Sequence, residues 1–230
     1  MDPATVDVPE NMKERLKASY DAMAPIYNEW TIPHSKQRMA YLDKALGYLN
    51  QQKLSGTPTF LELGCGCGLP VTKTLLAYDG AKVIANDLSD VQISLAKENL
   101  ISEPEDEIAH RLELVQGDMT TLAYPNGSLD LVVAFYSIIH LPRAEQEALL
   151  ERIAQWLKPG GYLVANFSAE EMESGVLEKW LDDRGWMFWS GWGQEKTLEK
   201  MKKAGMEVLV ADVAEDVLDR NSFLWVVAKR

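Results

Sequence analysis

The sequence predicts an α/β fold: a seven-stranded, mostly parallel sheet with helices on both faces, an antiparallel last strand and an N-terminal helical lid. Three observations carry this. Short apolar runs rich in Val, Ile, Leu and Phe alternate with amphipathic stretches from about Thr57 onward, the pattern of parallel strands buried on both faces and joined by helices. The last two runs are separated only by the short break "EDVLDRN", which suggests a closing antiparallel hairpin with the final strand inserted into the sheet. Ahead of the sheet, Met12, Leu16, Tyr20, Met23, Tyr27 and Trp30 recur at three- and four-residue steps, forming one apolar helix face.

In chain order, the first helix, "ENMKERLKASYDAMAPIYNEW", is expected to break or kink at Pro25, because proline removes a backbone donor and crowds the preceding turn. A second helix follows from Ser35 to Leu49. Residues 1–50 thus form a lid or flank on a main unit of residues 51–230, within one domain. The expected strands are Thr59–Leu63, Lys82–Asn86, Leu112–Gln116, Leu129–Phe135, Tyr162–Phe167, Met206–Val213 and Phe223–Ala228. Between them, "SDVQISLAKENL" opens on Ser89, a good cap, and "PRAEQEALLERIAQWL" has Pro142 near its first turn. "KPGG" ends that helix and turns into the next strand. Residues 169–193 hold most of the tryptophans in "KWLDDRGWMFWSGWG". They read either as a helix hairpin packed on the sheet or as an aromatic cap over an apolar ligand.

Composition excludes several function classes. The chain has 230 residues, 47% of them hydrophobic, enough for a sizeable core. Its N-terminus is polar and acidic, unlike a secretory signal, and no segment approaches the ~20 apolar residues of a membrane span. A soluble, cytoplasmic protein without a membrane partner is expected. The formal charge of −12 repels polyanions, and the basic residues are scattered, so no nucleic-acid partner is expected. The densest basic cluster, "KMKKAG", suits a helix C-terminus. Cys65 and Cys67 stand too close together to staple the fold, and His34, His110 and His140 show no ligand spacing to them, so no metal is expected.

The stretch "FLELGCGCGLP" carries the chemistry. It follows the first strand and precedes a helix, where open parallel sheets bind ligands. Gly64, Gly66 and Gly68 permit a tight turn. A dinucleotide loop would have glycine where Leu69 stands, and a P-loop would need Gly-Lys-Ser/Thr. The loop alone suits several nucleotide-like ligands. Asp87 ends the second strand, where a carboxylate accepts both hydroxyls of a ribose. Asp118 follows the third, where an acid can accept from the exocyclic amine of adenine. The implied ligand has a ribose and an adenine but no phosphate partner.

Taken in order, "FLELGCGCG", "VIANDLS", "LVQGDM", "LDLVVAFYSIIHL" and "LKPGGYLVANF" resemble the class I S-adenosylmethionine-dependent methyltransferases. "YDAMAPIYNEW" resembles the Y-D-x-x-A-x-x-Y lead-in of many small-molecule members. The resemblance implies S-adenosyl-L-methionine as cofactor. It matches Glu62, Gly64, Gly66 and Gly68, with Cys65 among them, to the loop holding the methionine half. Asp87 matches the ribose ligand, with Leu88 packing on adenine. Asp118 matches the acid at the adenine amine, with the Met119 backbone beside the ring. Phe135 matches the position under the methionine moiety, and Tyr20 and Tyr27 close over the cofactor.

The implied reaction is in-line methyl transfer to nitrogen, oxygen or sulfur of a small molecule. A protein or peptide acceptor, or a cofactor-binding regulatory partner without catalysis, are the alternatives. The N/D-P-P-Y signature of nucleic-acid amine methylation is missing, and "FYSIIHLP" lacks the acidic pair that aminopropyl transfer would want. Substrate contacts are expected from Tyr136, His140, Trp186, Trp189 and Trp192. His140 reads either as a general base for a hydroxyl acceptor or as a structural histidine. Cys65 and Cys67 read as small-residue packing in a tight turn. The sequence assigns no oligomeric state.

Overall fold

The computed structural model describes residues 7–52, 56–103, 107–216 and 220–230. The first six residues of the polar N-terminus and positions 217–219 of the "EDVLDRN" break lie outside them. Two helices lead, α1 (Met12–Thr31) and α2 (Lys36–Asn50). Then come β1 (Thr59–Leu63), α3 (Val71–Leu76), β2 (Lys82–Asp87), α4 (Asp90–Leu100), α5 (Glu107–Arg111), β3 (Leu112–Gln116), β4 (Leu129–Ala134) and α6 (Arg143–Trp156). The chain ends with β5 (Leu157–Ser168), β6 (Glu171–Glu178), β7 (Trp186–Trp192), α7 (Gly193–Lys203), β8 (Glu207–Glu215) and β9 (Ser222–Lys229).

Seven strands form one sheet in the order β3-β2-β1-β4-β5-β9-β8. The first five pair in parallel, and β9 runs antiparallel between β5 and β8, the inserted last strand that the short break suggested. Strand order reverses between β1 and β4, which opens a crevice at their C-terminal ends. The glycine loop after β1 and the Phe135–His140 turn after β4 therefore meet there.

Side-chain alternation builds a core on each face. Phe60, Leu131, Val133 and Trp225 pack on one side with Tyr41, Leu42 and Leu49 of α2. Leu61, Val132, Ala134 and Val226 pack on the other with Leu149 and Ile153 of α6 and Met201 of α7. A third cluster joins Met12, Leu16 and Met23 of α1 to Trp186, Met187 and Phe188 of β7. It binds the N-terminal helix to the β6–β7 hairpin.

Three elements depart from expectation. Helix α1 runs unbroken through Pro25. Met23 and Ala24 are fully buried, so tertiary packing offsets the lost backbone bond. "KPGG" lies inside β5: Gly160 N–H donates to Arg230 O and Arg230 N–H to Gly161 O, with a register shift between Leu129 and Leu131. It is a bulge on the strand rather than a separate turn. The aromatic stretch forms an antiparallel β-hairpin, β6 with β7, not a pair of helices. Aromatic side chains fit a half-buried pleated surface, and Trp186 and Phe188 face α1. Among the described residues no helix is long and apolar enough to cross a membrane.

Candidate active site

The glycine loop is built from backbone necessity. Gly64, Gly66 and Gly68 have φ of +76°, +54° and +78°, a region that costs other L-residues about 1–2 kcal/mol. A β-carbon on Gly64 would lie 2.5 Å from Ser137 Cβ, and one on Gly68 2.6 Å from Leu100 Cδ1. Gly64 and Cys65 both donate their N–H to Asn86 O. Asn86 Nδ2 donates to Val115 O and Gly117 O, tying β2 to the loop after β3.

Asp87 sits at the centre of this cradle. Its Oδ2 accepts Gly66 N–H at 2.8 Å and its Oδ1 accepts Ser89 N–H at 2.9 Å. Burial pushes its carboxyl above the usual range, against the pull of those amides. Glu62 lies behind the loop, 4% exposed, and accepts from Thr72 Oγ1 at 2.6 Å. Burial outweighs this bond and raises its carboxyl to about 8, because a charge there has no water to stabilise it.

Gly64, Gly66 and Asp87 border a cleft of about 680 Å³ of empty space, its open mouth included, which Glu62 does not line. Of the sequence-expected cofactor residues, the cleft gathers Tyr20, Tyr27, Gly64, Gly66, Asp87, Leu88, Asp118, Met119 and Phe135. Cys65 and Gly68 shape the loop from behind, and Cys65 is buried. Asp118 is already engaged: Thr120 donates its N–H at 2.8 Å and its hydroxyl at 2.7 Å, and Lys13 Nζ lies 2.7 Å away. Burial opposes ionisation of Asp118, but Lys13 and Thr120 prevail and hold its carboxyl below the usual range.

A second cavity, about 520 Å³ of empty space, adjoins the first. Trp30, Trp180, Trp189, Phe223, Arg38 and Asp216 are among its walls. Tyr20, Tyr27, Tyr136 and His140 line both cavities, so these four side chains form the partition. Within it, His140 Nδ1 donates to Phe188 O at 2.8 Å. That leaves Nε2 to accept from Tyr20 Oη at 2.9 Å. Burial lowers the imidazole to about 4, so His140 is neutral at pH 7.

The aromatic expectations divide. Trp189 reaches the second cavity. Trp186 is buried in the α1–hairpin cluster, with Arg15 above its ring. Trp192 donates its indole N–H to Arg143 O, and Lys200 lies 3.7 Å from its ring centroid. Neither Trp186 nor Trp192 borders either of these two cavities, because strand alternation points them elsewhere.

Lys13, Gln92, Ser137, Arg38 and Asp216 are not legible as site residues from sequence. Arg38 left one signal: it falls on the buried stripe of α2 with Tyr41, Leu42, Ala45 and Leu49. Its Nη2 donates to Thr31 O and Ser35 Oγ, its Nε is buried without a partner, and it makes no ion pair among the described residues.

The donor set suits an uncharged nucleoside better than a pyrophosphate. The cleft offers carboxylates, backbone amides and one lysine already paired. Buried Ser137 Oγ in the cleft and Arg38 Nε beside the second cavity lack partners, as expected where polar ligands complete the hydrogen bonding. Among the described residues no three metal-ligating side chains cluster.

The methyltransferase-domain family model matches residues 60–161. Sterol 24-C-methyltransferase erg6 of Aspergillus fumigatus is 33% identical over 101 residues, 44% of this chain and 25% of its own length. Carboxy-S-adenosyl-L-methionine synthase of Chromohalobacter salexigens is 30% identical over 178 residues, 74% of this chain and 62% of its own. The chain therefore spans between a quarter and about three-fifths of these relatives' lengths. Among solved structures, Burkholderia thailandensis 1,6-didemethyltoxoflavin-N1-methyltransferase, with bound 1,6-didemethyltoxoflavin and S-adenosylhomocysteine, superposes with a TM-score of 0.72 at 14% identity, covering 99% of this chain and 93% of that one. The DhpI–SAH complex gives 0.69 at 19% identity, covering 96% and 98%. At such identities these two likenesses speak to the fold.

Proposed function

We propose, from the premise that the chain belongs through residues 60–161 to the class I S-adenosylmethionine-dependent methyltransferases, that it methylates a small molecule held in the second cavity. The observation that carries this reading is the pair of adjoining cavities sharing one partition. Methyl transfer needs the acceptor atom against the methyl carbon, so donor and acceptor meet at the border that these four side chains frame. The Burkholderia neighbour of the same fold holds 1,6-didemethyltoxoflavin and S-adenosylhomocysteine together, which supports a small-molecule acceptor.

The cleft residues fit the cofactor in assignable ways. Asp87 takes the ribose hydroxyls, with its geometry set by Gly66 and Ser89. Leu88 and Met119 flank the adenine, and Asp118 shares its oxygens among Thr120, Lys13 and the adenine amine. The glycine loop and Phe135 border the methionine half, and Glu62, behind the loop, answers its ammonium. The cofactor, when bound, supplies a methyl group already activated by the sulfonium charge. The chain's own contribution is to orient the acceptor and exclude water. Residues 7–50 and 169–193 serve as the cover, and Trp180 and Trp189 contact the acceptor beside Tyr136.

His140 acts as a latch in this reading. Both ring nitrogens are engaged, and its burial disfavours taking a proton. It joins Tyr20 of α1 to the Phe188 carbonyl of β7.

The test is calorimetry with S-adenosylhomocysteine. Wild type should bind saturably, and Asp87→Ala should lose about 1.5–3 kcal/mol, the worth of hydrogen bonds to a charged group. Unchanged affinity in the variant would remove Asp87 from the ribose. Absence of binding by wild type would remove the whole reading.

A further inference from the structure

Tyr136 has a geometry that packing alone does not require. It lines both cavities, and so stands where an acceptor atom would meet the methyl group. Its backbone adopts φ +52°, a left-handed conformation that a bulky residue holds only when its surroundings impose it. The imposing group is Asn166, fully buried in β5, whose Oδ1 accepts Tyr136 N–H at 2.7 Å. The ring stands edge-on to Phe223 and Trp225, with centroids 5.2 and 5.6 Å away. The phenol donates to Asp216 Oδ2 at 2.5 Å. Backbone, ring and hydroxyl are each fixed by a different element, and the fixed atom is a phenolic oxygen backed by a carboxylate.

We infer that Tyr136 is the catalytic residue that takes the acceptor's proton, with Asp216 positioning the phenol and receiving the phenol's own proton, and that the acceptor is therefore a hydroxyl or N–H compound rather than a thiolate. This rests on the methyltransferase reading and names the acceptor class of the same site. The atoms balance as follows. The acceptor oxygen or nitrogen forms a bond to the methyl carbon, and the carbon–sulfur pair stays on the donor, which becomes a neutral thioether. The acceptor's O–H or N–H proton passes to Tyr136 Oη as the Tyr136 proton passes to Asp216. One positive and one negative charge vanish together, a change that low-dielectric surroundings favour.

The rival in the partition, Tyr20 with His140, would instead create a buried imidazolium. Burial and the Asp216 carboxylate keep the Tyr136 phenol well above its usual range, so it passes a proton on rather than standing ionised. The other titratable or charged groups around the acceptor cavity are Tyr20, Tyr27, His34, Arg38 and His140.

The test has two arms, run on wild type, Tyr136→Phe, Asp216→Asn and Asp216→Glu. The first is binding without turnover. S-adenosylhomocysteine affinity by calorimetry should be the same in all four. Absorbance of 4-nitrophenol added to that complex should show wild type taking up the neutral phenol, raising the probe's apparent pKa, with the effect lost in Asp216→Asn. The second arm follows methyl transfer to phenol, aniline and thiophenol probes. Phenol or aniline turnover should fall on the order of 10²-fold in Tyr136→Phe, the lower range for general acid–base catalysis. KM should change little, and Asp216→Glu should recover part of the loss that Asp216→Asn suffers.

Preferential uptake of nitrophenolate, no saturable uptake of the probe, turnover confined to the thiol, no turnover of any probe, or a Tyr136→Phe effect under about threefold would each overturn the assignment while cofactor binding stood. Loss of cofactor binding in wild type would instead overturn the reading beneath it.

Discussion

Replacing Glu62 by glutamine should remove a loss of stability that the free protein suffers as pH rises, and should weaken the cofactor complex. Glu62 is 4% exposed, has one hydrogen-bond donor in Thr72, and makes no ion pair among the described residues. Burial raises its carboxyl from 4.5 to about 8. A folded-state value above the unfolded one means that the folded chain binds more protons between them, so stability is fully present below 4.5 and is lost as pH rises through about 8. Between pH 5 and 8 that gap corresponds to about 3 kcal/mol lost by wild type. The variant cannot ionise and does not lose it.

Glutamine keeps the acceptor for Thr72 but adds a second N–H, which left unpaired costs about 1–3 kcal/mol, so the absolute gain is smaller than the pH-dependent part. Urea denaturation of both proteins at pH 5 and pH 8 isolates that part, because every other titrating group cancels in the difference. In calorimetry at pH 8 the variant should bind S-adenosylhomocysteine about 1.5–3 kcal/mol more weakly, since wild-type Glu62 can release its proton to meet the ammonium and the amide cannot. A stability difference that stays constant between the two pH values would refute the buried, mostly protonated state. Equal affinity would refute the contact with the ammonium.

Two further perturbations follow from the same geometry. The His140 imidazole falls from 6.5 to about 4 on folding because it is buried. The unfolded chain then binds the extra proton, so its contribution is present above pH 6.5 and is lost by about pH 4, on the order of 3 kcal/mol. Denaturant titrations through that window should show the loss in wild type and not in His140→Gln. Gly64→Ala forces a side chain into φ +76° and sets its β-carbon 2.5 Å from Ser137 Cβ. It should lower stability by about 2 kcal/mol or more and weaken S-adenosylhomocysteine binding, as thermal melts and calorimetry would register.

The sheet was legible because its signals are local and redundant. Each strand is a short apolar run, and the cleft residues that the sheet supplies sit at strand ends, where the strand prediction already put Asp87 and Asp118. What the sequence hid depends on contacts between distant segments. Pro25 reads as a break because proline costs a helix about 3 kcal/mol in isolation, while the burial of Met23 and Ala24 that offsets it comes with the packing of α1 on the hairpin and α4. The stretch around Trp186 carries no clean alternation to separate strand from helix, so only its pairing with β6 decides. Asp216 has no motif at all. It meets Tyr136 across 80 positions because β8 lies at the sheet edge with β9 inside it. Arg38 alone offered a hint, a charge on an apolar stripe, and a single snorkelling arginine is common enough on a helix to carry little weight.

The partition between the cavities explains why its groups are neutral. An unpaired cation in the partition would weaken sulfonium binding: two unit positive charges ~10 Å apart at an effective dielectric of ~20 repel by about 1.7 kcal/mol, roughly a factor of 15 to 20 in affinity, whereas Lys13 in the cleft wall is neutralised by Asp118. An exposed histidine would be partly protonated near neutral pH and would vary with it. His140 is 7% exposed, gives its Nδ1–H to a carbonyl and receives the Tyr20 hydroxyl, an arrangement only the neutral ring can hold. The burial that makes His140 a poor proton acceptor is therefore what suits it to stand beside a cationic donor. It also leaves the proton to the side of the partition that carries a carboxylate, where the negative charge of Asp216 complements the sulfonium before transfer and is neutralised as that cation disappears.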